Sequence, residues 1–120
     1  MRRDMDLVRT ILMAIEKSRD DEPASIRLPV RAYDDLHLSY HVRLLKEAGY
    51  IHAIENHRMD GIAWTPHSLT WQGHDFLDAV RDDAIWADVK QAAITPEGDA
   101  PAEILYALAL ERVKRKVGLA

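Results

Sequence analysis

The sequence predicts an α+β fold built around one helix that runs directly into a β-hairpin. Three observations carry that expectation. In residues 34–51, DDLHLSYHVRLLKEAGYI, Leu38, Val42 and Leu45 recur at helical spacing and make one apolar stripe. Asp34 is a good N-cap for this helix, Gly49 supplies a left-handed stop, and Tyr50-Ile51 leaves extended. Residues 50–55 and 62–69 then bracket a polar tip, Asn56-His57-Arg58-Met59-Asp60-Gly61, in which Asp60-Gly61 is a strong turn signal.

A helix, a glycine stop and an immediate strand is how a winged-helix domain joins its third helix to its wing. The expected architecture is therefore a winged helix-turn-helix-like domain: a degenerate second helix, a small three-stranded sheet with a β-hairpin wing, and additional C-terminal helices. The other elements follow in order. Asp4 caps a first helix over about residues 5–18, with Met5, Val8, Ile11, Leu12 and Ile15 on one face. Residues 19–24, RDDEPA, form a charged turn. Residues 25–30, SIRLPV, alternate apolar and polar as a strand does, and Pro29 places that strand at an edge. Only three residues separate Val30 from Asp34, which leaves no room for an ordinary second helix. Thr70 caps a helix carrying Trp71, His74, Phe76, Leu77 and Val80, in which Gly73 allows another backbone to come close. Asp82-Asp83 marks a break, and residues 84–93 continue helical. Residues 94–101, ITPEGDAP, read as a linker of breakers. Asp99 is expected to cap a last helix with Pro101 in its first turn, running to about Val117 and ending at Gly118. The division expected is a winged-helix domain over 1–82 and a helical extension over 83–120, within one compact unit, the extension being a candidate dimerisation element.

Composition narrows the function classes. At 120 residues, with 48% hydrophobic and 30% charged, the chain has the balance of a single globular domain and enough length to bury a core. It contains no cysteine, which excludes disulfides and Cys-based zinc sites. The start, MRRDMDLVRTILMAIEK, is basic and then apolar like a signal peptide, but Asp4, Asp6, Arg9 and Glu16 interrupt it. No apolar run approaches the roughly 20 residues that span a bilayer. A cytoplasmic protein with no membrane partner is expected. The net charge of −4 counts against nucleic-acid binding, although one basic face can sit within an acidic total.

The blocks MRRDMDLVR, YHVRLLKEAGYI and LTWQGHDFLDAVRDDAIW, in that order, resemble the phage and prophage family called domain of unknown function 2513. The resemblance spans nearly the whole chain. It implies a winged-helix fold encoded by phage or prophage DNA in a bacterium, and no established activity. The broader pattern, HVRLLKEAGYI followed by a hairpin and LTxxG, is shared with many winged-helix transcription regulators and speaks to fold more than to function.

Duplex DNA binding by the 34–48 helix is the leading functional expectation. Ser39, Tyr40 and Arg43 would read base edges, while Lys46 and the wing residues His57 and Arg58 would contact phosphate. Against it, Asp34 and Asp35 would repel phosphates. Leu36, Tyr40 and Leu44 also make an outer apolar stripe better suited to a covered face. The alternative is a non-enzymatic adaptor or inhibitor of a host protein, acting as a homodimer through its helices. The last helix carries it: Ile104, Leu105 and Leu108 define one side, and Tyr106, Leu110, Val113 and Val117 another. Leu105, Tyr106, Leu110, Val113 and Val117 are the candidate interface, and the plainer reading lays this helix across the first within one monomer. Lys114, Arg115 and Lys116 suit the negative end of the helix dipole. A metal site would need His37 and His41, four apart, with Asp34 or one of His52, His57 and His67. The plainer reading puts His41 at the core edge and His37 in solvent, so neither metal nor cofactor is expected. No phosphate loop, nucleophile elbow or HExxH motif occurs, and no enzyme is expected. Trp71 and Trp86 read as core or interface residues, and Trp64 as cover for the underside of the hairpin.

Overall fold

The computed structural model describes residues 1–18, 35–59 and 61–119. Five helices and two small antiparallel sheets follow one another as α1 (Met5–Lys17), α2 (Asp35–Glu47), β1 (Ile51–Arg58), β2 (Gly61–Leu69), α3 (Trp71–Val80), α4 (Asp83–Ala92), β3 (Ile94–Thr95), β4 (Gly98–Asp99) and α5 (Ala102–Lys116). The chain divides into two compact units, Met1–His74 and Asp75–Ala120, and the division falls within α3.

In the first unit, the Asp4 carboxylate accepts hydrogen bonds from the N–H groups of Asp6 and Leu7 at 3.0 and 3.2 Å, which starts α1 where the sequence places it. The helix buries Met5, Leu7, Val8, Ile11, Leu12 and Ile15 and packs on α2 and β2. Each such side chain contributes about 1.5–3 kcal/mol by leaving water, so this one face supplies much of the unit's core. Helix α2 turns His41, Val42 and Leu45 inward, with Leu38 half-buried. It ends at Gly49, whose φ of +80° lets the Gly49 N–H reach Lys46 O and the Tyr50 N–H reach Leu45 O, both at 3.0 Å.

The hairpin pairs Ile51 with Leu69 at its base and Arg58 with Gly61 at its turn. A bulge between His52 and Ala53 leaves His67 as the extra residue beside Pro66. Among the described residues this sheet has two strands, where three are expected. The expected third strand at 25–30, the degenerate second helix and the Asp34 cap lie outside the described residues. Thr70 then ties hairpin and helices together. Its N–H donates to Tyr50 O at 3.0 Å, its hydroxyl donates to Gly49 O at 2.6 Å, and the same oxygen accepts from the Gly73 N–H at 3.0 Å. A Cβ on Gly73 would lie 1.9 Å from Tyr50 O, so the close approach expected of this glycine is met.

The second unit buries Phe76, Leu77, Ala79 and Val80 from the end of α3, Trp86 and Val89 from α4, and Leu105 and Ala109 from α5. The rings of Phe76 and Tyr106 stack at 5.4 Å. Asp82 caps α4 by accepting from the N–H groups of Ala84 and Ile85. Two local expectations are corrected. Residues 94–99 are not a bare linker: β3 and β4 pair Ile94 with Asp99 and Thr95 with Gly98, closed by the Thr95 hydroxyl on Gly98 O. Asp99 does not cap α5, because its carboxylate accepts from Lys90 at 2.7 Å; Pro101 holds the N-cap position instead, with no side-chain cap. Arg112 to Asp88 and Lys116 to Asp82 join α5 to α4 and its cap at 2.7 and 2.6 Å. Among the described residues, no helix is long and apolar enough to cross a membrane.

Candidate nucleic-acid interface

The outer face of α2 and the neighbouring edge of the hairpin form the candidate surface. Strand β2 needs a partner for the N–H it turns toward α2, and Ser39 provides it: its hydroxyl oxygen accepts from the Trp64 N–H at 2.9 Å. Ser39 is therefore committed to holding the ribbon against the helix. Tyr40 is half-buried, edge-on to His41 at 5.7 Å, with the Arg43 guanidinium 5.5 Å from its ring. Arg43 is exposed, and its Nε lies 3.3 Å from the Glu47 carboxylate. Lys46 is exposed, and its ammonium sits 5.0 Å from the Trp64 ring across on β2. Cation–ring pairs at exposed sites contribute about 0.5–1 kcal/mol, enough to bias where these two charges point. Ser39 and Lys46 thus meet at Trp64, a residue the sequence offered only as cover for the hairpin, while Tyr40 and Arg43 pair with each other on the same helix.

The remaining two candidates sit further along the ribbon. Trp64 pairs with Glu55, so His57 lies two residues, roughly 7 Å, nearer the turn, and Arg58 closes β1 opposite Gly61. His57 is exposed, with Nε2 3.5 Å from the Glu55 carboxylate. Two of the proposed phosphate or base contacts, Arg43 and His57, therefore already have an acid beside them. The charge of the first unit is nearly balanced, with 10 Lys and Arg against 11 Asp and Glu. The second unit is the acidic one, with 6 against 9.

The histidines resolve differently from the expectation. His41 is fully buried rather than at the core edge, and both ring nitrogens are engaged, Nδ1 with His37 O at 2.9 Å and Nε2 with the Asp4 N–H at 2.8 Å. His37 is half-buried rather than in solvent. Among the described residues no three His, Asp or Glu side chains are grouped to hold a metal ion. His67, the bulge residue, has a buried Nδ1 without a hydrogen-bond partner. Trp71, expected in a core or interface, is 82% exposed in the single chain; Trp86 is buried as expected. Of the outer stripe, Leu36 is 66% exposed while Tyr40 and Leu44 are half-buried.

On α5, the candidate interface residues separate by depth. Leu105 is fully buried in the single chain and lends nothing to an outer surface, Tyr106 stacks on Phe76, Leu110 and Val113 are half-buried, and Val117 is 62% exposed. The surrounding charges are fixed by partners. The Lys116 ammonium and the Ile85 and Ala84 N–H groups hold the Asp82 carboxyl below its ordinary range, and Asp88 raises Arg112 further.

The family model described as "Hypothetical protein (DUF2513)" matches residues 2–99. The chain belongs to the DUF2513 family. The matched region runs from α1 through β4 and so contains the whole α2–hairpin surface, but stops before α5. An uncharacterised protein of Haemophilus influenzae (strain ATCC 51907 / DSM 11121 / KW20 / Rd) is 34% identical over 90 residues, which is 75% of this chain and 76% of that protein. No solved structure matches the chain.

Proposed function

We propose that the first unit of this DUF2513 protein is a winged-helix module that binds duplex DNA, with α2 entering the major groove and the β1–β2 hairpin serving as its wing. One observation carries this reading. Arg43 and Lys46 are exposed on α2, and Lys46 reaches across to Trp64 on a ribbon that Ser39 holds in place. Helix and ribbon thus offer one preorganised surface with two cations on it. In this reading Arg43 exchanges Glu47 for a guanine edge, Tyr40 flanks it, and Lys46, His57 and Arg58 meet phosphates. In this reading the protein acts in the cytoplasm as a regulator of phage or prophage origin, an origin for which the resemblance of three sequence blocks is the support.

Titration against random duplex DNA at about 50 and 200 mM salt tests this. A binder using several phosphate contacts loses affinity steeply over that range, and Lys46→Ala lowers the salt slope by about 0.9. Arg43→Ala weakens binding as well. Absence of binding at the lower salt sinks the proposal. The second reading, an adaptor or inhibitor that binds a host protein and acts as a homodimer, would then stand. It draws on Leu36 and Trp71, exposed on the first unit, and on Val117 at the end of α5.

A further inference from the structure

His41 has the ring environment of a proton-sensitive catch. Its two partners are main-chain groups of fixed polarity. The His37 carbonyl can only accept, so Nδ1 carries the hydrogen; the Asp4 N–H can only donate, so Nε2 presents its lone pair. The ring is therefore held neutral in a single tautomer, at 0% exposure. It joins two points 37 residues apart: the residue that caps α1 and the middle of α2. Asp4 is the hinge of this arrangement. Its carboxylate starts α1, its carbonyl accepts from the Val8 N–H at 3.0 Å, and its own N–H is held by His41.

We propose that His41 is a pH-operated latch: the neutral imidazole fastens the first turn of α1 to α2, and uptake of one proton at Nε2 unfastens it. A proton at Nε2 turns the acceptor into a donor facing the Asp4 N–H, so the contact at 2.8 Å cannot persist. The opened state then holds one more proton than the closed state, so closure is favoured as pH rises and is lost as pH falls. The titratable groups on the surrounding elements are Asp4 at the cap of α1, Asp6, Arg9, Glu16 and Lys17 on α1, Asp35, His37, Tyr40, Arg43, Lys46 and Glu47 on α2, His52, Glu55, His57 and Arg58 on β1, and His67 on β2. The Asp4 carboxylate accepts from the Asp6 and Leu7 N–H groups, and the His37 ring stacks on His41 at 6.3 Å. The latch does not depend on whether the unit binds DNA.

The test is NMR on the full chain between pH 7.5 and 5. Imidazole nitrogen shifts at pH 7.5 should show His41 as the Nδ1–H tautomer. Amide exchange in α1, corrected for its intrinsic pH dependence, should lose protection as pH falls, by up to about tenfold per pH unit, the limit for uptake of one proton. His41→Gln, whose amide oxygen can accept from Asp4 without titrating, should abolish that dependence, while His52→Gln and His57→Gln should leave it intact. The latch is overturned if the ring is the Nε2–H tautomer, or if His41 takes its proton with α1 protection unchanged. It is also overturned if His41→Gln follows the parent's profile. Should His41→Gln fail to fold, the tautomer and exchange data on the parent chain still decide.

Discussion

The two units of the chain are held by different chemistry. The first is fastened by hydrogen bonds that join separate elements through one side chain each: His41 to Asp4, Ser39 to Trp64, and Thr70 to Gly49. The second is an α4–α5 pair whose cross-links are charged, Arg112 to Asp88, Lys116 to Asp82, and Lys90 to Asp99 of the small β3–β4 hairpin. All six histidines fall in the first unit, and the greater share of the net negative charge in the second. The difference teaches where each unit can be disturbed. Loss of one imidazole lone pair acts on the first, while salt and carboxylate protonation act on the second, because exposed ion pairs are screened and individually weak.

The largest effect should come from the second unit's apolar centre. Phe76 is fully buried and stacked on Tyr106, so Phe76→Ala should cost about 3–5 kcal/mol by chemical denaturation. Residue-resolved amide exchange locates the damage. Protection in α5 should fall well before protection in α1; equal losses would mean that the chain opens as one cooperative body and the contrast between units is not real.

Next in size is the substitution that attacks the first unit where backbone meets backbone. Gly73→Ala puts a Cβ 1.9 Å from Tyr50 O, a contact that no side-chain rotation relieves. Moving α3 or the hairpin base should cost about 2–3 kcal/mol, at the upper end of overpacking. A variant within about 0.5 kcal/mol of the parent, the range of an ordinary surface change, would refute the close approach.

How much of this was legible in the sequence follows the range of each interaction. Helix α1, helix α2 with its Gly49 stop, and the β1–β2 hairpin are written locally, in caps, periodicity and turn residues a few positions apart. The β3–β4 pair is not, because two-residue strands have no alternation to read and the same Thr-Pro-Glu-Gly residues also suit a plain loop. Asp99 has the chemistry of a cap, and only the position of Lys90 redirects it. The candidate surface was half legible. Arg43 and Lys46 lie on the outer face that the stripe of Val42 and Leu45 defines. The commitment of Ser39 and the platform of Trp64 depend on a ribbon edge 25 residues away, and the burial of His41 on a cap 37 residues away. Trp71 shows the opposite failure: periodicity marks it as apolar-face, but whether anything covers that face is a fact about partners.

The smallest expected effect separates the units most cleanly, because it uses the pH axis alone. The Asp82 carboxyl is held low, first by Lys116 and then by the N–H groups it caps, so its folded value lies below the ordinary value of 3.8. A depressed carboxyl contributes stability that is complete above its unfolded value and is lost as pH falls toward the folded one. The contribution of Asp82 to the second unit should therefore be lost as pH falls below about 4. Asp82→Asn divides the two roles of this residue. Asparagine caps a helix about as well as aspartate, so the first turn of α4 should keep its exchange protection at pH 7, while the attraction to Lys116 and its sensitivity to salt disappear. An acid profile unchanged in Asp82→Asn would assign the transition to another carboxylate, with the α1 amides as an internal reference. Frayed α4 amides at neutral pH would mean that charge, rather than the oxygen's hydrogen bonds, is what starts the helix.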